Sequence, residues 1–465
     1  MFKSQNHIIY HNEAMMGYGA AVTDFDGDGR FEIFISSFGG PNRVLKWQSG
    51  GLIDVAPPLL ADLGRQGIGV AAGDLTGDGR EEIYLMNSDT FAGRKQFADR
   101  LFARNGETWE DLFQQPGSLE LANLIAGRSV AVIDRNGDGR YGFFTANYGA
   151  PMRLYELDND GELVDTAPEI GVDLVSGGRS LLPFQLENYR IDLFVGNEAG
   201  PNFMLINDGS GRYRDSAADL GLDDPHEHAR GVAVLDLNGN GLFDLVLGNW
   251  EGHHRLFVQD ETGGFEDLAS ESFARSSRVR NVIAADFDND GHEEIFFNNI
   301  GQTNRLFRNL GGVLEEIDPG EAAEPSGLGT GAVVGDFDQD GSLELLIVHG
   351  ESGMQPLSLY RAEPVSDGWL RVLPLTRRGA PARGASVTLV GAESTRRRVI
   401  DAGSGYLCQM EPVAHFAFPA GDEPERVIVR WPGGEMKVIE GPELNRVHRV
   451  EIPISEKPGL RSGLE

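Results

Sequence analysis

Asp286-Phe-Asp-Asn-Asp-Gly-His-Glu-Glu294, running into the apolar Ile295-Phe-Phe297, is the stretch whose reading decides the fold. Asp286, Asp288 and Asp290 stand at alternate positions, Gly291 lets the backbone turn, and Glu294 adds a fourth acid. Alternate side chains of an extended segment point the same way, so the aspartates converge. Two such carboxylates ~5 Å apart repel by roughly 3 kcal/mol at an effective dielectric of about 20, which favours a cation between them. Hard oxygen ligands in a flexible loop, with the peptide carbonyl of His292 as one more, suit Ca²⁺. An EF-hand would carry a bidentate Glu at its twelfth position, on an exiting helix. Here the twelfth residue is Phe297, in a β-like run, and the acid sits at position nine, so the loop joins two strands.

The pattern recurs along the chain. Asp336, Asp338, Asp340 and Glu344, with the carbonyl of Ser342, form a full copy, and so do Asp24, Asp26, Asp28 and Glu32, with that of Arg30. Asp74, Thr76, Asp78 and Glu82, with the carbonyl of Arg80, include one hydroxyl ligand. Asp236, Asn238, Asn240 and Asp244, with the carbonyl of Leu242, trade two acids for amides, which weakens the site. Asp134, Asn136 and Asp138, with the carbonyl of Arg140, keep the first half, but Gly142 supplies no side chain at position nine. That site is expected to be weak or completed by water.

First positions fall at 24, 74, 134, 236, 286 and 336, in steps of 50, 60, 102, 50 and 50. The long step is two periods and places a repeat without acids near Phe184, where Leu181–Asn197 matches the flanks of Asp236–Asn249. A second marker, seen at Arg100-Leu-Phe102, Arg255-Leu-Phe257 and Arg305-Leu-Phe307, keeps the same phase and brings the count to seven repeats. A period near 50 made of short apolar strands indicates a propeller or an array. Each unit reads as four antiparallel strands, and seven such blades close a ring. The expectation is an all-β chain: a seven-bladed β-propeller over 1–362, a small β-rich domain over 363–454, and a loose tail over 455–465. The last unit lacks its own fourth strand, and His7-Ile-Ile-Tyr10 is predicted to supply it.

Composition fits. The 62 glycines in 465 residues are near twice the usual share, as many tight turns require. A formal net charge of −32 argues against a nucleic-acid partner, whose binders need a basic face. A single cysteine, Cys408, excludes disulfides within the chain and cysteine-based zinc clusters. No apolar run approaches a membrane span. The first residues carry no apolar leader, so the chain as written is expected to be cytoplasmic; if a leader has been trimmed, it is secreted or periplasmic.

If the acid loops join first to second strands, they share one face of the ring. The opposite face then gathers the residues that enter first strands and leave second strands. Arg128, Arg179, Arg230 and Arg280 hold the same slot in four consecutive blades, and Tyr148 and Trp250 leave second strands nearby. The four arginines should form an arc at one channel mouth. Guanidinium forks with aromatic walls suit an anionic or polar ligand; the alternative is that each arginine pairs with Glu198, Glu251 or carbonyls and ties blades together. Should the site be catalytic, His228, Glu198 or Glu251 would be acid or base, and Arg230 would steady developing negative charge. His226, His228, His253 and His254 could also hold a transition metal, although loop polar residues are the simpler reading. Ser404, between glycines, lacks the setting of a nucleophile elbow. Core packing is the simpler reading of Tyr406 and Trp431.

The repeated Asp-x-Asp-x-Asp-Gly-x-x-Glu resembles the FG-GAP/VCBS repeat of integrin α-subunit propellers. The region from Trp369 to Ile452, with Arg383-Gly-Ala385, Gly403-Ser-Gly-Tyr406, His415-Phe416 and Trp431-Pro-Gly-Gly434, resembles the ASPIC/UnbV domain. The pairing is similar to the cartilage acidic protein family. The resemblance implies a propeller with integrin-α-like calcium loops, about five or six structural Ca²⁺, and no single activity. Two functions stay open: a calcium-stabilised recognition protein that binds a protein, glycan or small molecule on the channel face, or an enzyme acting there on a small anionic or polar substrate, in secondary metabolism for instance.

Overall fold

The computed structural model describes residues 1–453 apart from 107, 187, 392–393, 404 and 420–422. Ser404 and the stretch 455–465 therefore lie outside the described residues. Seven four-stranded antiparallel units follow one another, with first strands Gly17–Thr23, Gly67–Gly73, Gly127–Ile133, Val175–Phe184, Ala229–Leu235, Val279–Ala285 and Gly329–Gly335. Each first strand packs beside the next, and the last returns to the first, where Thr330 Oγ1 donates to the Gly17 carbonyl at 2.8 Å. The third and fourth units also pair through Tyr148 with Gly177 and Pro151 with Val175.

The sixth unit shows why these sequences make blades. Ile295, Phe296 and Phe297 are consecutive and fully buried. Their side chains alternate between faces: Ile295 and Phe297 pack with Val246 of the fifth unit, while Phe296 packs with Leu345 and Ile347 of the seventh. Both faces of an inner strand thus lie against neighbours, and each buried phenylalanine contributes about 1.5–3 kcal/mol of apolar transfer.

The ring is latched by Phe2–Ser4, not by His7–Tyr10. Phe2 pairs with Ala362 and Ser4 with Tyr360, and the Phe2 ring meets Phe287 and Phe296 at 5.0 and 5.9 Å. Asn6–Ile8 instead turns in a 3₁₀ helix, and Tyr10 N–H donates to Leu52 of the first unit. Phe2 can fill the seam between the sixth and seventh blades, and that apolar anchor sets the register.

The C-terminal region holds two sheets. Ala414–Phe418 and Val447–Glu451 flank Gly368–Leu375, the latter pair parallel, and Thr395–Val399, Ser386–Gly391, Pro424–Arg430 and Met436–Glu440 make the other. Trp431 lies in their shared core, its indole N–H donating to the Leu375 carbonyl at 2.9 Å.

Candidate functional site

In the acid loops, the position-one aspartate first organises its own backbone. Asp286 accepts from Asp290 and Gly291 N–H, each at 3.0 Å, and Asp24, Asp74, Asp134 and Asp336 do the same at their loops. Asp236 accepts from Gly241 N–H at 3.1 Å. Gly291 has φ 95°, which a side chain would strain. The position-nine acid accepts from the second loop residue: Phe25 to Glu32, Leu75 to Glu82, Leu237 to Asp244, Phe287 to Glu294 and Phe337 to Glu344. Asp192 keeps this bond in the fourth unit, from Leu186 at 3.1 Å, although the other acids are gone.

Three loops bring carboxylates close enough for one metal ion: Asp24, Asp26 and Glu32; Asp286, Asp288 and Asp290; Asp336, Asp338 and Glu344, each set within 4.8 Å. The sixth blade fits a cation best. Asp288 Oδ1 and Glu294 Oε1 are buried without a hydrogen-bond partner. Burial pushes Asp286 up to about 8, with Asp290 and Asp288 adding to the rise against Arg398 and Arg396. Burial likewise pushes Glu82 up to about 8 and Asp74 up to about 7 in the second blade. Metal-free carboxylates here resist ionisation, as groups awaiting a positive charge do. In the third loop, the space beside Gly142 is taken by Glu156, but Arg135 and Thr166 hold that carboxylate.

The C-terminal domain covers this loop face. Arg371 pairs with Asp336 at 3.0 Å and with Glu411; Arg383 pairs with Glu81 and donates to the Val22 carbonyl at 2.8 Å; Arg398 pairs with Glu293 at 3.0 Å. His415 Nε2 lies 2.8 Å from Asn289 Oδ1, inside the sixth loop.

From this domain, a segment enters the channel. Ala402 accepts from Val132 N–H, Gly405 from Leu181 N–H, Leu407 from Val70 N–H and Gln409 from Val22 N–H. Asn281 donates to the Tyr406 carbonyl at 2.7 Å. A Cβ on Gly405, whose φ is 61°, would lie 2.6 Å from Val232 N. The glycines of this stretch therefore serve threading.

The opposite mouth is built by bulges. First strands slip register at Gly127/Ser129, Gly178/Ser180, Ala229/Gly231 and Val279/Asn281, which leaves Arg128, Arg179, Arg230 and Arg280 as the extra residues. A bulge re-aims one side chain, and it does so identically in consecutive blades. Arg128 and Arg179 both lie over Phe91 and Tyr148, and Arg230 and Arg280 flank Trp250 at 5.5 and 4.4 Å. Glu198 bridges Arg179 and Arg230, and Arg280 pairs with Glu351. Arg128 donates to the carbonyls of Gly127 and Phe91. Four guanidiniums thus face two carboxylates. Arg230 Nε and Arg280 Nε are buried without partners among the described residues.

Tyr406 forms the floor of this mouth and is the residue that sequence reasoning missed. Burial opposes its ionisation, but Arg280, Arg179, Arg128 and Arg230 outweigh burial and hold its pKa below the ordinary value. The Gly-x-Gly-Tyr spacing was the only available signal, and it marks threading rather than chemistry.

The remaining candidates are dispersed. Burial raises Glu198, yet Arg179 and Arg230 pull it down to about 2, so it is a fixed anion rather than a base. Glu251 is exposed and pairs with Arg278 at 2.8 Å, and not with the arc. His228 lends its backbone to a bridge with Glu198. His254 is buried with Nδ1 accepting from Asn249 N–H and Nε2 2.9 Å from Ser277 Oγ, so both nitrogens have structural roles. His253 meets Glu227, and no histidine joins a metal-ligating group among the described residues.

A family model described as FG-GAP-like repeat matches residues 24–85, 236–297 and 287–347, and one described as ASPIC and UnbV matches 376–457. Human cartilage acidic protein 1 is 46% identical, over 96% of this chain and 73% of its own length. The chain belongs to the cartilage acidic protein family. The family's protein from Mus musculus is 45% identical over 96% of this chain and 75% of its own. The repeat matches skip the third and fourth blades, where the acid loop lacks position nine or is lost. Among solved structures, BP39L lectin from Burkholderia pseudomallei has a TM-score of 0.49 at 11% identity, covering 75% of this chain and 98% of that one. No helix among the described residues is long and apolar enough to cross a membrane.

Proposed function

We propose that the chain is a calcium-stabilised recognition propeller whose bulge-built mouth binds an anionic group, a carboxylate or phosphate carried by a protein, glycan or small molecule. One observation carries the reading: Arg230 Nε and Arg280 Nε are buried and unpartnered at a mouth where four arginines face two acids. Buried donors without acceptors are costly, and an incoming anion would supply the acceptors. Calcium belongs to the other face. Its chemistry there is to cross-link carboxylates, and Asp286, Asp288, Asp290 and Glu294 are the residues best placed to hold it. An enzyme is the second reading, favoured by the acidified Tyr406 phenol beneath the arginines.

Calorimetric titration of the full chain with inorganic phosphate and with succinate tests the reading. Binding of either is expected, with at least a tenfold loss in Arg280→Ala. Absence of binding, or affinity unchanged by the substitution, overturns it.

A further inference from the structure

The three full acid loops are not closed alike. In the first blade, the pairing of Ile33 with Leu45 puts Lys46 opposite Glu32. Lys46 Nζ lies 2.6 Å from Asp26 Oδ2, 2.7 Å from Asp28 Oδ2 and 2.8 Å from Glu32 Oε1. Those oxygens belong to positions three, five and nine, the ligand set for an ion in this loop. We propose that the Lys46 ammonium is the resident cation of the first blade, and that this loop takes up a divalent ion only when Lys46 is removed.

Geometry and charge both support the assignment. Calcium sits 2.3–2.6 Å from its oxygens. An ion bound by the same three carboxylates would share the volume of Nζ, and two cations in one cage would repel. The lysine is 7% exposed, so it is packed into place rather than draped over the surface. The equivalent third-strand position is again cationic in the seventh blade, where Arg361 pairs with Asp340 and, at the longer distances of 3.4 and 3.6 Å, with Asp338 and Glu344, but it differs in the second and sixth. In the second blade it is Ala103, which brings no charge. In the sixth it is Arg308, which approaches only Asp288, at 3.5 Å, and leaves Asp288 Oδ1 and Glu294 Oε1 unpartnered. Glu32 Oε1 likewise accepts no well-aligned hydrogen bond, but Lys46 Nζ lies 2.8 Å from it, whereas Arg308 stays 3.5 Å from Asp288 in the sixth loop.

The proposal rests on calcium filling other loops, and the test separates the two. Native mass spectrometry counts calcium bound to the full chain after chelation and return to calcium chloride, for wild type, Lys46→Gln and Asp26→Asn. Lys46→Gln is expected to hold one ion more than wild type, and Asp26→Asn the same number. Its melting temperature in EDTA should also fall below that of wild type and recover in calcium. If Asp26→Asn loses an ion, the first loop was metal-filled and the proposal fails; this arm decides even if Lys46→Gln does not fold. A count unchanged in Lys46→Gln also overturns it, and a wild-type count of zero overturns this and the calcium reading together.

Discussion

On the loop face carboxylates are gathered, and the C-terminal domain meets them with Arg371, Arg383 and Arg398. At the channel mouth arginines are gathered, and Glu198, Glu351 and the rings of Phe91, Tyr148 and Trp250 meet them. Charge of one sign is concentrated on each face, and each face is only partly neutralised from within. The difference lies in what completes them. The loop face is roofed by a folded domain, whereas at the mouth four buried guanidiniums face two carboxylates. The proposed division gives structural work to one side and recognition to the other.

The largest effect expected from breaking this division is metal removal. Each site saturated at about 100 Kd contributes roughly 2.7 kcal/mol, so EDTA should lower the melting temperature by many degrees. An unchanged melt, with removal verified by elemental analysis, would mean that the loops are held without ions. Next in size is Arg383→Met. It strands the buried Glu81 carboxylate, and breaking such a pair costs about 3–5 kcal/mol. Urea unfolding should show that loss and should show Glu81→Gln recovering part of it in the double variant; a neutral result would remove this pair from the docking of the two domains.

The smallest effect sharpens the mouth. Arg179 and Arg230 hold Glu198 down to about 2 against burial, so its contribution is complete above the usual glutamate range and is lost as pH falls through about 2. The stability difference between wild type and Glu198→Gln should be modest at neutral pH and vanish in acid. A difference constant from neutral pH to about 2.5 would show that the bridge is not what the substitution removes.

The strands and acid loops were legible because they repeat: period, turn glycines and alternating acids are local signals that each blade states afresh. The arginine slots were legible for the same reason. What was hidden depends on distant contacts. Phe2–Ser4, not His7–Tyr10, makes the latch, and the Phe2 ring meets Phe287 and Phe296, a distant contact that no local pattern reports. Tyr406 reads as core until Gly405 is seen passing Val232. Lys46 is an ordinary strand lysine until the register places it opposite Glu32.

The segment in the channel has a consequence for how the molecule can be divided. First strands are the inner edges of their sheets, and their free backbone groups face the axis. Val22, Val70, Val132 and Leu181 hand theirs to residues 402–409. Those residues act as an axle on which the wheel is mounted, so a chain cut after the last blade would be a rim without its bearing, with bare strand edges in a narrow bore. The two sequence modules are joined through the channel, and neither is expected to keep its native form when expressed alone.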